Sequence, residues 1–142
     1  MTPEQRTLVT ETYPDIRQIA IPVSLLFYGR LFDLDPSLRA LFHIDMTEQS
    51  EKLMSMLDAI VGSLDSFEEM RPVLRELGQR HVEYGVKESH YTTLGSALVW
   101  AFAQALEPNF NDSVREAWNA VLGEVSREML AGAAEGPPPA PA

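Results

Sequence analysis

Apolar residues recur along this chain at intervals of three and four, the spacing that gathers them on one side of an α-helix. The first such segment opens at Thr2-Pro3-Glu4-Gln5, which reads as an N-cap, a first-turn proline and a capping-box glutamine. Pro14 is expected to end or kink that helix near Tyr13. A second helix is predicted over about 19–34, with Ile21, Leu25, Tyr28 and Leu31/Phe32 on its inner face. Asp35-Pro36 caps a short turn over 36–41. A longer helix begins near Thr47, capped by Asp45 or Thr47, with Gln49, Leu53, Met56/Leu57, Ile60 and Leu64 in one stripe. Ser66-Phe67-Glu68-Glu69 is another capping-box pattern, and Pro72 is expected to open a helix over about 72–84. That helix shows Val73, Leu74, Leu77, His81 and Tyr84. The next, from Ser89 to Leu106, carries Tyr91, Leu94, Leu98, Ala101/Phe102 and Ala105. Asn111 or Asp112 caps the last, which carries Val114, Trp118, Val121/Leu122, Val125 and Met129. Strand alternation is sustained nowhere. The pattern predicts one all-α domain over 1–131, with about six main helices, and a disordered Ala/Pro-rich tail over 132–142.

Composition changes this picture at a few points. Ten prolines in 142 residues look too many for a helical chain, but four of them (Pro137, Pro138, Pro139 and Pro141) fall in the tail. Most of the others can sit at helix starts or, like Pro108, in loops. The absence of cysteine removes disulfide scaffolds, thiolate-held metals and thiol catalysis. A net charge of −10 argues against nucleic acid or an anionic membrane as partner. No apolar run approaches the roughly 20 residues that span a bilayer, and Met1-Thr2-Pro3-Glu4 lacks the features of a signal peptide. A cytoplasmic location is the expectation. Most carboxylates, including Glu68/Glu69 and Glu124/Glu128, read as caps or solvated faces.

Three stripes carry a residue that a plain core does not need: Tyr28, Gln49 and His81. A buried Gln or His costs about 1–3 kcal/mol unless its polar groups are satisfied. Each alone is more often an ordinary core or half-exposed residue; the three together, on three helices of one small bundle, favour an internal site. One histidine is too few for a zinc or di-iron site made by protein alone. The Glu-x-x-His pairs of di-iron bundles are absent, since Ala40, Gly78 and Lys87 stand three before His43, His81 and His90. A single axial histidine in an apolar cavity does suffice for haem iron, because the porphyrin supplies the other four nitrogens. The glycines are isolated, so no loop cradles phosphate, and Gly-x-Ser-x-Gly is absent.

Several motifs then agree with one family. His81-Val82-Glu83-Tyr84-Gly85-Val86 followed by His90-Tyr91, Leu41-Phe42 with Gln49-Ser50-Glu51-Lys52-Leu53, Phe27-Tyr28, and Trp118 resemble the bacterial single-domain globins. These are the Vitreoscilla-type haemoglobins and the globin domains of flavohaemoglobins. The resemblance covers about residues 4–131. It implies a globin fold around haem b, with His81 as proximal iron ligand. It implies that Phe42 packs on the porphyrin, that Gln49 and Tyr28 donate to the distal ligand, and that Lys52 lies near a propionate. Leu53, Met56 and Leu98 would keep the pocket dry; Val86, Lys87, His90 and Tyr91 follow on the proximal side, with Lys87 or His90 toward propionates. Reversible dioxygen binding follows, with slow release if Tyr28 and Gln49 stabilise the negative charge that develops on the bound gas. Nitric oxide, carbon monoxide or sulfide are further ligands. Nitric-oxide dioxygenation or weak peroxidase activity with a separate reductase is the enzymatic alternative, and a haem-free helical interaction module is the alternative of another class. A monomer or weak homodimer is expected. Tyr91 matches the tyrosine of the flavohaemoglobin proximal relay, whereas the matching glutamate position is Ala133, with Glu135 nearby.

Overall fold

The capping box at Thr2 is formed: Gln5 N–H donates to Thr2 Oγ1 at 3.1 Å and Thr2 N–H to Gln5 Oε1 at 2.9 Å. It opens the first of six α-helices in the computed structural model, which describes residues 1–42 and 45–135. These are α1 (Pro3–Gln18), α2 (Ala20–Leu34), α3 (Met46–Gly62), α4 (Phe67–Glu83), α5 (Glu88–Leu106) and α6 (Asp112–Ala134). Short 3-10 turns at Pro36–Leu41 and Leu64–Ser66 flank α3, and no strand occurs among the described residues. Asp35, Asp45 and Asn111 cap through their side chains, accepting from the N–H groups of Ser37, Thr47 and Val114. The all-α class read from the periodicity is what the chain adopts.

Some faces and boundaries differ from the sequence reading. Pro14 lies inside α1 and does not end it. Pro14 and Thr10, whose carbonyl loses its helical partner, are both exposed, so solvent can satisfy the freed group. The inner face of α2 is rotated toward Val23, Ser24, Phe27, Tyr28 and Leu31, leaving Ile21 and Leu25 outside. Leu64 belongs to the 3-10 turn after α3. α4 begins five residues before Pro72, anchored by buried Phe67, and Ser66 makes no side-chain cap. Val73 in α4 and Tyr84 just after its end are exposed. α6 continues past residue 131 to Ala134, because Gly132 is buried against α4; the rest of the predicted tail, 136–142, lies outside the described residues.

α1 and α5 meet α6 at Trp118, which has no exposed surface. Its ring lies 4.7 Å from that of Phe102, and its indole N–H donates to Thr12 Oγ1 at 3.0 Å. The largest helix contact is between α4 and α6, followed by α1 with α6 and α2 with α5. α4 and α6 approach backbone to backbone. A Cβ placed on Gly78 would overlap the Met129 carbonyl, and one on Gly132 would overlap the Arg75 carbonyl. Beside this contact Glu128, expected to be solvated, is buried: Arg71 Nη1 donates to Oε1 at 2.7 Å and Arg75 Nε to Oε2 at 2.9 Å. Burial alone would raise the Glu128 carboxyl, but the two arginines outweigh it and hold it below the ordinary range.

Three outcomes follow. Gly132→Ala should lower stability by about 1–3 kcal/mol through overpacking. Gly123→Ala, with open space at its Cβ, should instead raise it by about 0.5–1 kcal/mol. Denaturant titration of both variants checks this. A glutamate whose folded pKa is depressed stabilises above its unfolded value and loses that contribution as pH falls. Glu128→Gln should therefore melt below the wild type at neutral pH, and the gap should close below about pH 4.3, the ordinary glutamate value. Melting curves across that range are the measurement.

Candidate functional site

His81 stands in the last turn of α4, half-buried. Its Nδ1 is 2.8 Å from the Leu77 carbonyl oxygen. A carbonyl only accepts, so Nδ1 carries the proton and Nε2 keeps its lone pair. Burial holds the ring below its ordinary pKa, against an upward pull from the Leu77 bond, and keeps it neutral near pH 7. The helix then stops at once. Gly85 takes φ +89°, Gly85 N–H donates to the Val82 carbonyl at 3.1 Å, and Val86 N–H to the His81 carbonyl at 3.0 Å. This is a Schellman ending that needs a residue at ease in the left-handed region. A Cβ on Gly85 would touch Leu41 at 3.4 Å.

A second group gathers where α2 and α3 meet the first 3-10 turn. Tyr28 is buried, and its hydroxyl donates to the Gln49 backbone carbonyl at 3.1 Å. Burial pushes the phenol up to about 12, so it stays a donor at neutral pH. Its single proton is committed to that carbonyl, whereas the sequence suggested a hydroxyl free for a distal ligand. The half-buried Gln49 side chain makes no hydrogen bond among the described residues. Phe42 is half-buried, its ring 5.5 Å from Tyr28 and 5.6 Å from Phe32. Leu53 and Leu98 are buried and Met56 half-buried; Lys52 is exposed.

Around the start of α5 the structure assigns different work. His90 is buried, and its Nδ1 accepts the Lys87 backbone N–H at 3.0 Å. That nitrogen closes a helix end and cannot also donate to a propionate. Lys87 is exposed and Val86 half-buried. Tyr91 is buried, and its hydroxyl has no hydrogen-bond partner among the described residues. Ala133 is half-buried and Glu135 exposed, and no carboxylate among the described residues bonds that hydroxyl.

The helix carrying His81 packs on α6, while the helix carrying Gln49 packs on α2 and α1. Among the described residues no three His, Cys, Asp or Glu side chains gather to hold a metal ion. One neutral histidine with a free Nε2 fits a group that brings its own equatorial ligands, as haem does. The aromatic and aliphatic side chains around Tyr28 suit its apolar face.

Sequence reasoning missed Glu128 with Arg71 and Arg75, and the glycine contact beside them. Matching i,i+4 spacings, Arg71/Arg75 on one helix and Glu124/Glu128 on the other, were the available signal. It also missed the Tyr13 hydroxyl, which donates to Asp58 at 2.5 Å and ties α1 to α3.

The described residues define an all-α protein in which the half-buried His81 is neutral, with its Nδ1 proton on the Leu77 carbonyl. The globin family model matches residues 25–129, and the chain belongs to the globin family. It is 25% identical to a neuroglobin of Danio rerio over 93% of this chain and 92% of that one. It is 28% identical to a flavohemoprotein of Bordetella parapertussis over 92% of this chain, spanning 33% of that protein's length. Among solved structures, a bacterial globin from Campylobacter jejuni superposes with a TM-score of 0.77 at 23% identity, covering 94% of this chain and 97% of that one. An engineered carbene transferase, described as a candidate nitric oxide dioxygenase of Rhodothermus marinus, gives a TM-score of 0.84 at 24% identity over 95% and 94% of the two chains. No described helix is long and apolar enough to cross a membrane.

Proposed function

We propose that this globin holds haem b through His81 and binds dioxygen reversibly. The observation that carries the reading is the His81 ring, with Nδ1 fixed on Leu77 and Nε2 left as a neutral donor. Bound haem supplies a ferrous iron that takes up diatomic gases. The chain's own residues do the rest. His81 would hold the iron through Nε2, and the Leu77 carbonyl sets its ring orientation. Phe42, Leu53, Met56 and Leu98 exclude water, and Lys52 offers a charge for a propionate at the rim. Gln49, whose side chain makes no hydrogen bond among the described residues, would donate its amide N–H to the bound gas. Tyr28 positions Gln49 through its carbonyl. Nitric oxide, carbon monoxide and sulfide are ligands of the same site, and a separate reductase keeps the iron reduced.

Nitric-oxide dioxygenation is the second reading, suggested by the structural likeness to the Rhodothermus marinus protein described as a candidate nitric oxide dioxygenase. It is weakened by the Tyr91 hydroxyl, which among the described residues has no carboxylate partner to make His81 more basic through a relay.

Reconstitution with haem followed by a visible absorption spectrum is the primary test. The wild type should bind one haem with a strong Soret band, and His81→Ala should lose axial ligation; a wild type that binds no haem sinks the reading. The distal assignment has its own measurement. Gln49→Leu should release dioxygen roughly tenfold faster, since a charge-assisted hydrogen bond is worth about 1.5–3 kcal/mol and such losses appear in the off-rate. Tyr28→Phe should change that rate less. Stopped-flow dissociation with the opposite ranking would make Tyr28 the donor.

A further inference from the structure

Among the described residues, α4 is anchored chiefly along its α6 side. Its extensive helix contact is with α6, and it meets the preceding 3-10 turn at its start. Arg71, Arg75 and Gly78 all meet α6, and His81 lies about one turn beyond Gly78. At Gly78 and Gly132 the spacing between the helices is set by backbone against backbone. Gly78 abuts the Met129 carbonyl, and Gly132 abuts the Arg75 carbonyl. No rotamer can relax such a contact, because neither partner is a side chain. The two fixed backbone points, Arg75 and Gly78, bracket Leu77, whose carbonyl holds His81 Nδ1 at 2.8 Å. Glu128, one residue before Met129, grips the same stretch of α4 through Arg71 and Arg75. Beyond His81 the helix is closed off by Gly85, so little chain remains to correct an error made upstream.

We propose that Gly78, Gly132 and Glu128 are positioning residues that fix the depth and orientation of His81, and thereby the strength of its bond to iron. The proposal rests on His81 being the axial ligand. An added methyl at either glycine, or loss of the Glu128 charge, moves the α4 backbone around Leu77 and carries the imidazole with it. Gas release then changes although no residue near the gas has been touched.

The test uses the full chain reconstituted with haem, with carbon monoxide as the probe. Gly132→Ala adds the methyl, Glu128→Gln loosens the same anchor without adding volume, and Gly123→Ala on the open side of α6 is the control. Resonance Raman of the ferrous, ligand-free protein reads the iron–histidine stretching band directly. Gly132→Ala should shift or split that band and change the carbon monoxide dissociation rate by roughly threefold or more, the scale of mutational coupling between linked sites. Glu128→Gln should move the band in the same direction by less, and Gly123→Ala should leave band and rate unchanged. Folding is checked by circular dichroism; if Gly132→Ala does not fold, Glu128→Gln decides. Haem-loaded, folded variants with the wild-type band and rate overturn the positioning role while leaving the axial assignment intact. A wild type that takes up no haem, or that keeps an iron–histidine band in His81→Ala, overturns the axial assignment and the positioning role with it.

Discussion

The constraint on which this molecule depends is the close contact between α4 and α6. Two glycines on opposite helices face each other's neighbouring backbone, Gly78 on Met129 and Gly132 on Arg75. Any side chain there would force the helices apart, so the spacing is set by main-chain atoms. Cα–H groups facing carbonyl oxygens add a weak attraction to this fit. The charged residues beside it are arranged to suit. Glu128 is withdrawn from water between α4 and α6, where Arg71 and Arg75 satisfy both its oxygens. Such a pair gives the contact registry as well as energy, because a buried carboxylate tolerates few alternative alignments.

The rest of the fold is organised around holding two groups of side chains on separate supports. Trp118 unites α1, α5 and α6, and its indole N–H is satisfied by Thr12. The Tyr13–Asp58 bond links α1 to α3, and Arg17 lies 3.3 Å from the same carboxylate. Together these fix the platform that carries Gln49. His81 stands at the end of a helix held by α6. The helices that carry His81 and Gln49, α4 and α3, do not pack extensively on each other.

Each polar residue at the site has a physical reason for its state. His81 is neutral because burial disfavours its charge, and its tautomer is set by a carbonyl that cannot donate. Tyr28 stays protonated and is directed at a backbone oxygen. His90 is buried as a capping acceptor at the start of α5. Tyr91 keeps a buried hydroxyl with no hydrogen-bond partner among the described residues.

Much of this was settled by the order of residues. The 3.6-residue apolar period, the caps at Thr2, Asp35 and Asn111, and the lone His81 on an apolar stripe are local patterns, and local patterns determine helices and which residue types reach the interior. They also determined the family, because the spacings from Phe27-Tyr28 to Trp118 agree together. The periodicity could not settle which side of α2 faces inward, since Ile21 and Leu25 satisfy it as well as Val23 and Phe27. Nor could it show that Pro14 and Pro72 sit where a missing N–H is tolerated. Only the tertiary structure decided that Glu128 is buried, that the Tyr28 proton goes to a carbonyl, and that two glycines some 50 residues apart in sequence touch opposing backbones. Those are facts about what lies across from a residue, and a one-dimensional pattern records only what lies beside it.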